Sequence, residues 1–111
     1  MNKNSVKLYI DTVDSQLTVV EISRVGFKHK YEEKTNPTSK SQNVLPLIET
    51  ALKTERLAWV DVTAIEINPG PGSFTGVRVG VAVANALGWA LGVPVNGKKL
   101  EVPKYQQSKF D

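Results

Sequence analysis

The sequence predicts an α/β fold in which a mixed five-stranded sheet carries two helices on one face. Two observations indicate this fold. Short stretches that alternate apolar with polar residues fill the first third of the chain, as antiparallel strands do. Beyond them, two stretches with helical spacing of apolar residues alternate with two short strand-like stretches, which favours β-α-β crossovers.

The first three strands are predicted at Lys7–Asp11, Leu17–Ile22 and Phe27–Glu33. Short turns between them favour an antiparallel meander, because the residues at 12–15 readily bond their own backbone. The third strand alternates aromatic with charged residues, and its lysines suit an edge of the sheet.

The first helix is predicted to run from a cap at Ser39 or Ser41 to about Thr54. Pro46 lies beyond its first turn and is expected to bend the helix or open one hydrogen bond. Its expected buried stripe comprises Val44, Leu45, Ile48, Ala51 and Leu52, with Leu47 to one side.

A glycine-rich turn follows the strand predicted at Ala64–Ile67 and leads into the second helix. Its glycines leave backbone N–H groups uncovered, and a serine or threonine can cap the helix. Such a helix start favours an anion or a carbonyl partner. The motif comprises Gly70, Gly72, Ser73, Phe74, Thr75 and Gly76, of which Ser73 and Thr75 are the candidate caps.

The second helix, Val77–Leu91, is apolar on nearly every face, since Arg78 is its only charged residue and Asn85 its only other polar one. A helix of this kind is buried all round, and a chain of 111 residues has little material to cover both sides of it. We therefore expect a partner.

Gly92 is placed to end the helix, and Val93–Val95 predicts a fifth strand at an edge. Small residues recur every four positions and predict a strip of close helix approach: Gly76, Gly80, Ala84 and Gly88.

Length and composition indicate one domain, residues 1–102, followed by a polar tail at 103–111. The chain has no cysteine, which excludes disulfides and thiolate sites and favours an intracellular, cytoplasmic setting. No signal peptide is expected, and the second helix is expected to be too short and too rich in glycine and alanine to span a membrane.

The net charge of +3 arises mostly from scattered lysines at 28–40 and 98–109. Without an aromatic-interleaved basic motif of the single-strand-binding kind, these lysines favour solvated faces over contact with nucleic acid.

The predicted order β-β-β-α-β-α-β is that of the opening unit of the ribonuclease-H-like fold, which actin, hexokinase and the Hsp70 ATPases share. Both helices then lie side by side and present their outer surfaces together.

Within that order, segment 70–80, Gly-Pro-Gly-Ser-Phe-Thr-Gly-Val-Arg-Val-Gly, resembles the signature of the TsaB (YeaZ) family, the dimerisation subunit of the bacterial tRNA threonylcarbamoyladenosine machinery. Family members normally carry a second, similar domain, so the chain resembles their N-terminal half. Lys40-Ser41-Gln42 stands where the family often has His-Ser-Glu. Supporting motifs occur in matching order: Ile10-Asp-Thr12, Ser41 with Leu45-Pro46, Asp61-Val62, and Val93–Val95 with Gly97.

The resemblance implies a non-catalytic scaffold, without a cofactor or metal of its own, that pairs through its two helices with a TsaD-type catalytic subunit. That subunit transfers threonylcarbamoyl to N6 of adenosine 37 in tRNA. A TsaE-type ATPase joins the assembly, and tRNA is expected to meet this chain only through the complex. The predicted partner interface comprises Ser41, Leu45, Ile48, Leu52, Val77, Arg78, Gly80, Val81, Ala84 and Gly88.

Two alternatives remain at this point: a homodimer that uses the same helices, and an enzyme. A ribonuclease-H-like nuclease needs acids where Asp11, Glu49 and Asn68 stand, and the neutral Asn68 is a weak metal ligand. A peptidase is suggested only by the family's older name.

Other motifs favour structural roles. The glycine turn lacks the lysine of a P-loop, so close packing is favoured over a nucleotide site. His29 has no obvious acid to orient it, and neither Ser73 nor Thr75 has a predicted base, so neither a metal site nor a catalytic triad is expected. Arg78 is expected to pair with a backbone or acidic group, or else to reach a phosphate.

Overall fold

The computed structural model describes residues 5–98, which form an α/β domain. The boundary predicted at residue 102 and the tail at 103–111 lie outside the described residues. The strands are β1 Val6–Asp11, β2 Leu17–Arg24, β3 Phe27–Lys34 and β4 Val62–Ile67; the helices are α1 Lys40–Thr54 and α2 Phe74–Leu91, and a short 3-10 turn at Trp59–Asp61 precedes β4.

The sheet is mixed, with the strand order β3-β2-β1-β4. The first three strands form the predicted antiparallel meander, and β4 pairs parallel to β1 after the crossover through α1. The lysine-bearing β3 lies at an edge of this sheet, as predicted.

Both helices cover the same face of the sheet. In β1 the buried Val6, Leu8 and Ile10 alternate with Lys7 and Tyr9, so one side of the strand enters the core and the other faces solvent. Helix α1 packs on β2 and β3, α2 packs on β4 and β1, and the two helices contact each other. The domain therefore has one apolar layer, between sheet and helices.

The buried stripe of α1 differs from the prediction at two positions. Leu47 is buried, whereas Leu45 is 43 % exposed. The reason is helical phase: Leu47 follows Val44 by three positions and precedes Ala51 by four, which places all three on one side. Ser39 occupies the predicted cap position, although its side chain makes no capping hydrogen bond.

The predicted fifth strand is reduced to isolated bridges at Val95, of which one reaches β4 and the other joins Lys98. Val95 pairs in parallel with Ile65, and the Asn96 backbone N–H donates to Ile65 O at 2.8 Å. The Asn96 carboxamide then accepts from Ile67 N at 2.9 Å and donates to Ile67 O at 3.0 Å. A side chain thus takes the place of further strand backbone, so the pairing along β4 ends there.

Helix α2 has the predicted caps but begins earlier than predicted. The Ser73 hydroxyl accepts from Gly76 N at 3.3 Å, and Gly92 ends the helix in the left-handed conformation. Starting at Phe74, α2 has 18 residues and is long and apolar enough, by length and composition alone, to cross a membrane. The expectation that it is too short is therefore wrong. In the described residues α2 packs against β4 and β1, and 33 % of its length is buried.

Candidate partner-binding surface

The glycine turn packs against the end of β1. Ser73 N donates to Val13 O at 2.9 Å, and the Thr12 hydroxyl donates to Gly76 O at 2.6 Å. A Cβ at Gly72 would lie 2.6 Å from Val13 Cβ, and one at Gly76 would overlap the Thr12 carbonyl oxygen. The glycines therefore permit close packing within the chain, and the carbonyl partner expected at this helix start is Val13 O.

The strip of small residues on α2 faces the chain's own sheet. A Cβ at Gly80 would overlap the Thr12 hydroxyl and lie 2.9 Å from Ile67 Cδ1. One at Gly88 would lie 2.5 Å from Val95 Cγ2. The predicted outward orientation of this strip is wrong, because its small side chains serve to bring α2 close to the sheet. Most of the predicted interface is accordingly buried in the chain's own core: Ile48, Leu52, Val77, Gly80, Val81, Ala84 and Gly88.

The outer side of the helix pair forms an apolar groove that is open to solvent. Leu45 of α1 lines one wall, and Ala82, Val83, Ala86 and Leu87 of α2 line the other, around a volume of about 230 Å³. All five side chains are aliphatic, and within residues 5–98 no element covers them. We call these five residues the helix groove. One side of the apolar helix α2 is covered by the sheet, and the helix groove lies on the side that stays uncovered, as the sequence of α2 predicts.

Two exposed aromatic residues lie near the ends of α2. Phe74 is 57 % exposed and Trp89 is 82 % exposed. The Arg78 guanidinium lies 5.1 Å from the centre of the Phe74 ring, a cation–π contact that neither prediction for Arg78 included. Ser41 and Leu45, like Arg78, are exposed, and a place for these three in a partner interface stays a prediction.

The residues considered for a nuclease have structural partners. The Asp11 carboxylate accepts from Val13 N at 3.1 Å, from the Tyr9 hydroxyl at 3.1 Å and from Asn68 Nδ2 at 3.3 Å. Burial, together with Asp11, raises the pKa of Tyr9 to about 12. Asp11 thus caps a turn, and Glu49 is exposed on α1. Among the described residues, no three histidine or acidic side chains come together to hold a metal ion.

Lys40 has a role that the sequence did not reveal. Its side chain is fully buried, and its ammonium donates to the carbonyl oxygens of Thr12 at 3.2 Å, Leu17 at 2.7 Å and Asp14. Burial lowers the pKa of Lys40, while Asp14 and Asp11 act in the opposite direction. The lysine joins the start of α1 to the β1–β2 turn. In the sequence, the only sign of this role is that a lysine stands where the family often has a histidine.

A second cluster surrounds Glu55, at the end of α1. Its side chain is 7 % exposed; it binds His29 Nδ1 at 2.6 Å and Arg24 Nη2 at 3.4 Å, and the Tyr31 hydroxyl donates to it. The hydrogen bond from Tyr31 is the main cause that holds the pKa of Glu55 below its usual range, and the contacts with His29 and Arg24 act in the same direction. Burial and that bond raise the pKa of Tyr31 to about 12. His29 therefore does have an acid to orient it, contrary to expectation.

Comparisons with known proteins agree with the resemblance found in the sequence. The family model of TsaD, described as tRNA N6-adenosine threonylcarbamoyltransferase, matches residues 36–97. The tRNA threonylcarbamoyladenosine biosynthesis protein TsaB of Haemophilus influenzae is 34 % identical over 93 residues, 84 % of this chain and 39 % of that protein. The tRNA N6-adenosine threonylcarbamoyltransferase of Moorella thermoacetica is 43 % identical over 56 residues, 50 % of this chain and 16 % of that protein.

Solved structures show the same relationship. YeaZ from Pseudomonas aeruginosa superposes with a TM-score of 0.76 at 32 % identity, over 82 % of this chain and 42 % of that one. The chain thus spans less than half of the length of each of these relatives.

Proposed function

Because the chain belongs to the TsaB (YeaZ) family and corresponds to part of its N-terminal region, we propose that it is a subunit of the machinery that makes N6-threonylcarbamoyladenosine at position 37 of tRNA. It acts by contact and not by catalysis. Its partner is a TsaD-type catalytic subunit, a TsaE-type ATPase joins the same assembly, and this role places the chain in the cytoplasm.

The observation that carries the proposal is the helix groove. An aliphatic groove between two neighbouring helices fits the ridge of side chains on another helix, which packs by interdigitation. Leu45 is 43 % exposed in the groove, whereas the other leucines of α1 are buried in the core. Covering Leu45 with a partner would therefore remove apolar surface from water and stabilise the complex.

The family match also indicates what the partner presents. The TsaD family model matches residues 36–97, a range that contains α1, β4 and α2. A TsaD-type subunit thus shares the sequence pattern of both helices, and we expect it to offer a corresponding pair. Two such pairs would make a four-helix contact, and stable interfaces of this kind bury about 1,200–2,000 Å² in total.

Ala86→Arg is expected to weaken binding to the TsaD-type subunit by at least about tenfold, because the guanidinium would lose its water at the centre of an apolar contact. Ala86 is exposed in the isolated chain, so the fold should tolerate the substitution. Isothermal titration calorimetry of the two purified proteins measures the effect.

The matched control is Ala58→Arg, the same change at an exposed position outside the helix groove, which should bind as the wild type does. Equal affinity for the Ala86→Arg variant and the wild type would remove the groove from the interface. Light scattering of the chain alone tests the homodimer alternative, because a dimer built on the same groove would become monomeric on Ala86→Arg.

A further inference from the structure

The end of the β2–β3 hairpin exposes an ordered array of rings. Phe27 is 55 % exposed, and the His29 side chain is 53 % exposed. Their rings meet edge to face with centroids 6.1 Å apart, and the Arg24 guanidinium lies 5.3 Å from the Phe27 ring centre. We call Arg24, Phe27 and His29 the hairpin surface. Aromatic rings exposed on a strand are the usual platform on which proteins stack unpaired bases.

Basic residues lie on both faces of the hairpin that carries this surface. Segment 23–31 holds three basic residues and no acidic one. Lys28 and Lys30 are exposed on the other side of β3, and Arg56 is exposed just beyond α1. Four acidic groups lie close by: Glu55 is buried beneath the surface, and Glu21 is 19 % exposed and 3.8 Å from Lys28. Further along β3, Glu32 shares the side of Lys28 and Lys30, and Glu33 shares the side of Phe27 and His29. Basic and aromatic residues thus alternate in β3, as the sequence predicts, and the exposed cations suit a polyanion.

Glu55 holds this array in place from below. The carboxylate lies at the C-cap of α1, where the helix dipole disfavours negative charge. It nevertheless fixes both His29 and Arg24. The Nδ1 of His29 lies 2.6 Å from a Glu55 carboxylate oxygen, so the carboxylate fixes the orientation of a half-exposed ring. A buried group that orients exposed side chains is typical of a binding site.

We propose that the hairpin surface binds single-stranded RNA, with bases stacked on Phe27 and His29 and phosphates held by Arg56 and, across the open edge of β3, by Lys28 and Lys30 on the opposite face. An acidic protein would use the charges but has no need of the rings, and so fits the surface less well. Strand β3 and β4 lie at opposite edges of the sheet, and α2 packs on β4. RNA binding is thus separate from pairing through the helix groove, and the two proposals fail independently.

The test is fluorescence anisotropy of the full chain with a labelled, unstructured RNA of about twelve nucleotides. Phe27→Ala is expected to weaken binding about tenfold through loss of stacking. Phe74→Ala is the matched control, because it removes an equally exposed phenylalanine that also lies against an arginine, and it should bind as the wild type does. Replacing Lys28 and Lys30 together by glutamine should reduce the slope of log affinity against log salt by about 1.4.

Three results would overturn the proposal: unchanged affinity for Phe27→Ala, an unchanged salt slope for the double lysine variant, or equally tight binding of duplex RNA or polyaspartate. The last would mean that charge alone acts and that an acidic partner fits as well. Circular dichroism verifies that each variant is folded. The Ala86→Arg variant should bind the RNA normally, whatever its effect on pairing.

Discussion

Gly80→Leu is expected to lower the free energy of unfolding by at least about 3 kcal/mol. Any side chain at this position must enter space held by the Thr12 hydroxyl and Ile67 Cδ1. The Thr12 hydroxyl also donates to Gly76 O at 2.6 Å, so displacing it breaks a buried hydrogen bond. A domain of this size has roughly 5–15 kcal/mol of total stability, so a large share would be lost. Urea unfolding followed by circular dichroism measures the change.

Ala90→Leu is the control for this substitution, since it enlarges an exposed alanine on the same helix and should alter stability by about 0.5 kcal/mol or less. A Gly80→Leu variant as stable as the wild type, but deficient in pairing, would show that the small residues of α2 face a partner after all.

Glu55→Ala is expected to cost about 2–3 kcal/mol of stability at neutral pH. The variant loses charge-assisted bonds to His29 and Arg24 as well as the bond from Tyr31, and so frees edge strand β3 from α1. Glu49→Ala, an exposed glutamate on the same helix, should change stability little. Chemical unfolding of both variants provides the comparison, and equal effects would contradict a structural role for the cluster.

The cluster also predicts how stability depends on pH. The folded-state pKa of Glu55 is depressed, so its contribution is complete above the ordinary glutamate pKa of about 4.3 and is lost as pH falls through the folded value. The pKa of Tyr31 is raised from 10.0 to about 12, so its contribution is complete below 10.0 and is lost as pH rises towards 12. Glu55→Gln should lose less stability than the wild type when the pH falls below about 4.3, because the variant lacks this carboxylate. The same acid dependence in both would refute this assignment.

Local patterns predicted most of the architecture. Alternating residues and short turns located β1, β2 and β3, and helical spacing located α1, because these signals depend on near neighbours. The caps at Ser73 and Gly92 were predictable for the same reason.

Long-range geometry set what the sequence did not reveal. A helix that is apolar all round carries no signal for which side meets the sheet, so the glycine strip of α2 was assigned to the wrong side. Glu55 and His29 are 26 positions apart, and only the packing of α1 on β3 brings them together. Lys40 is buried because three carbonyl groups from a distant turn converge on it.

The chain has no cysteine, which allows the most direct test of pairing through the helix groove. A single thiol is introduced by Ala86→Cys, and its rate of alkylation is measured alone and with a saturating TsaD-type subunit; Ala58→Cys serves as the reference. If the two proteins pair through the helix groove, the partner strongly slows alkylation at position 86 and leaves position 58 unchanged. A thiol at position 86 that reacts equally fast while the partner is bound would contradict this mode of pairing.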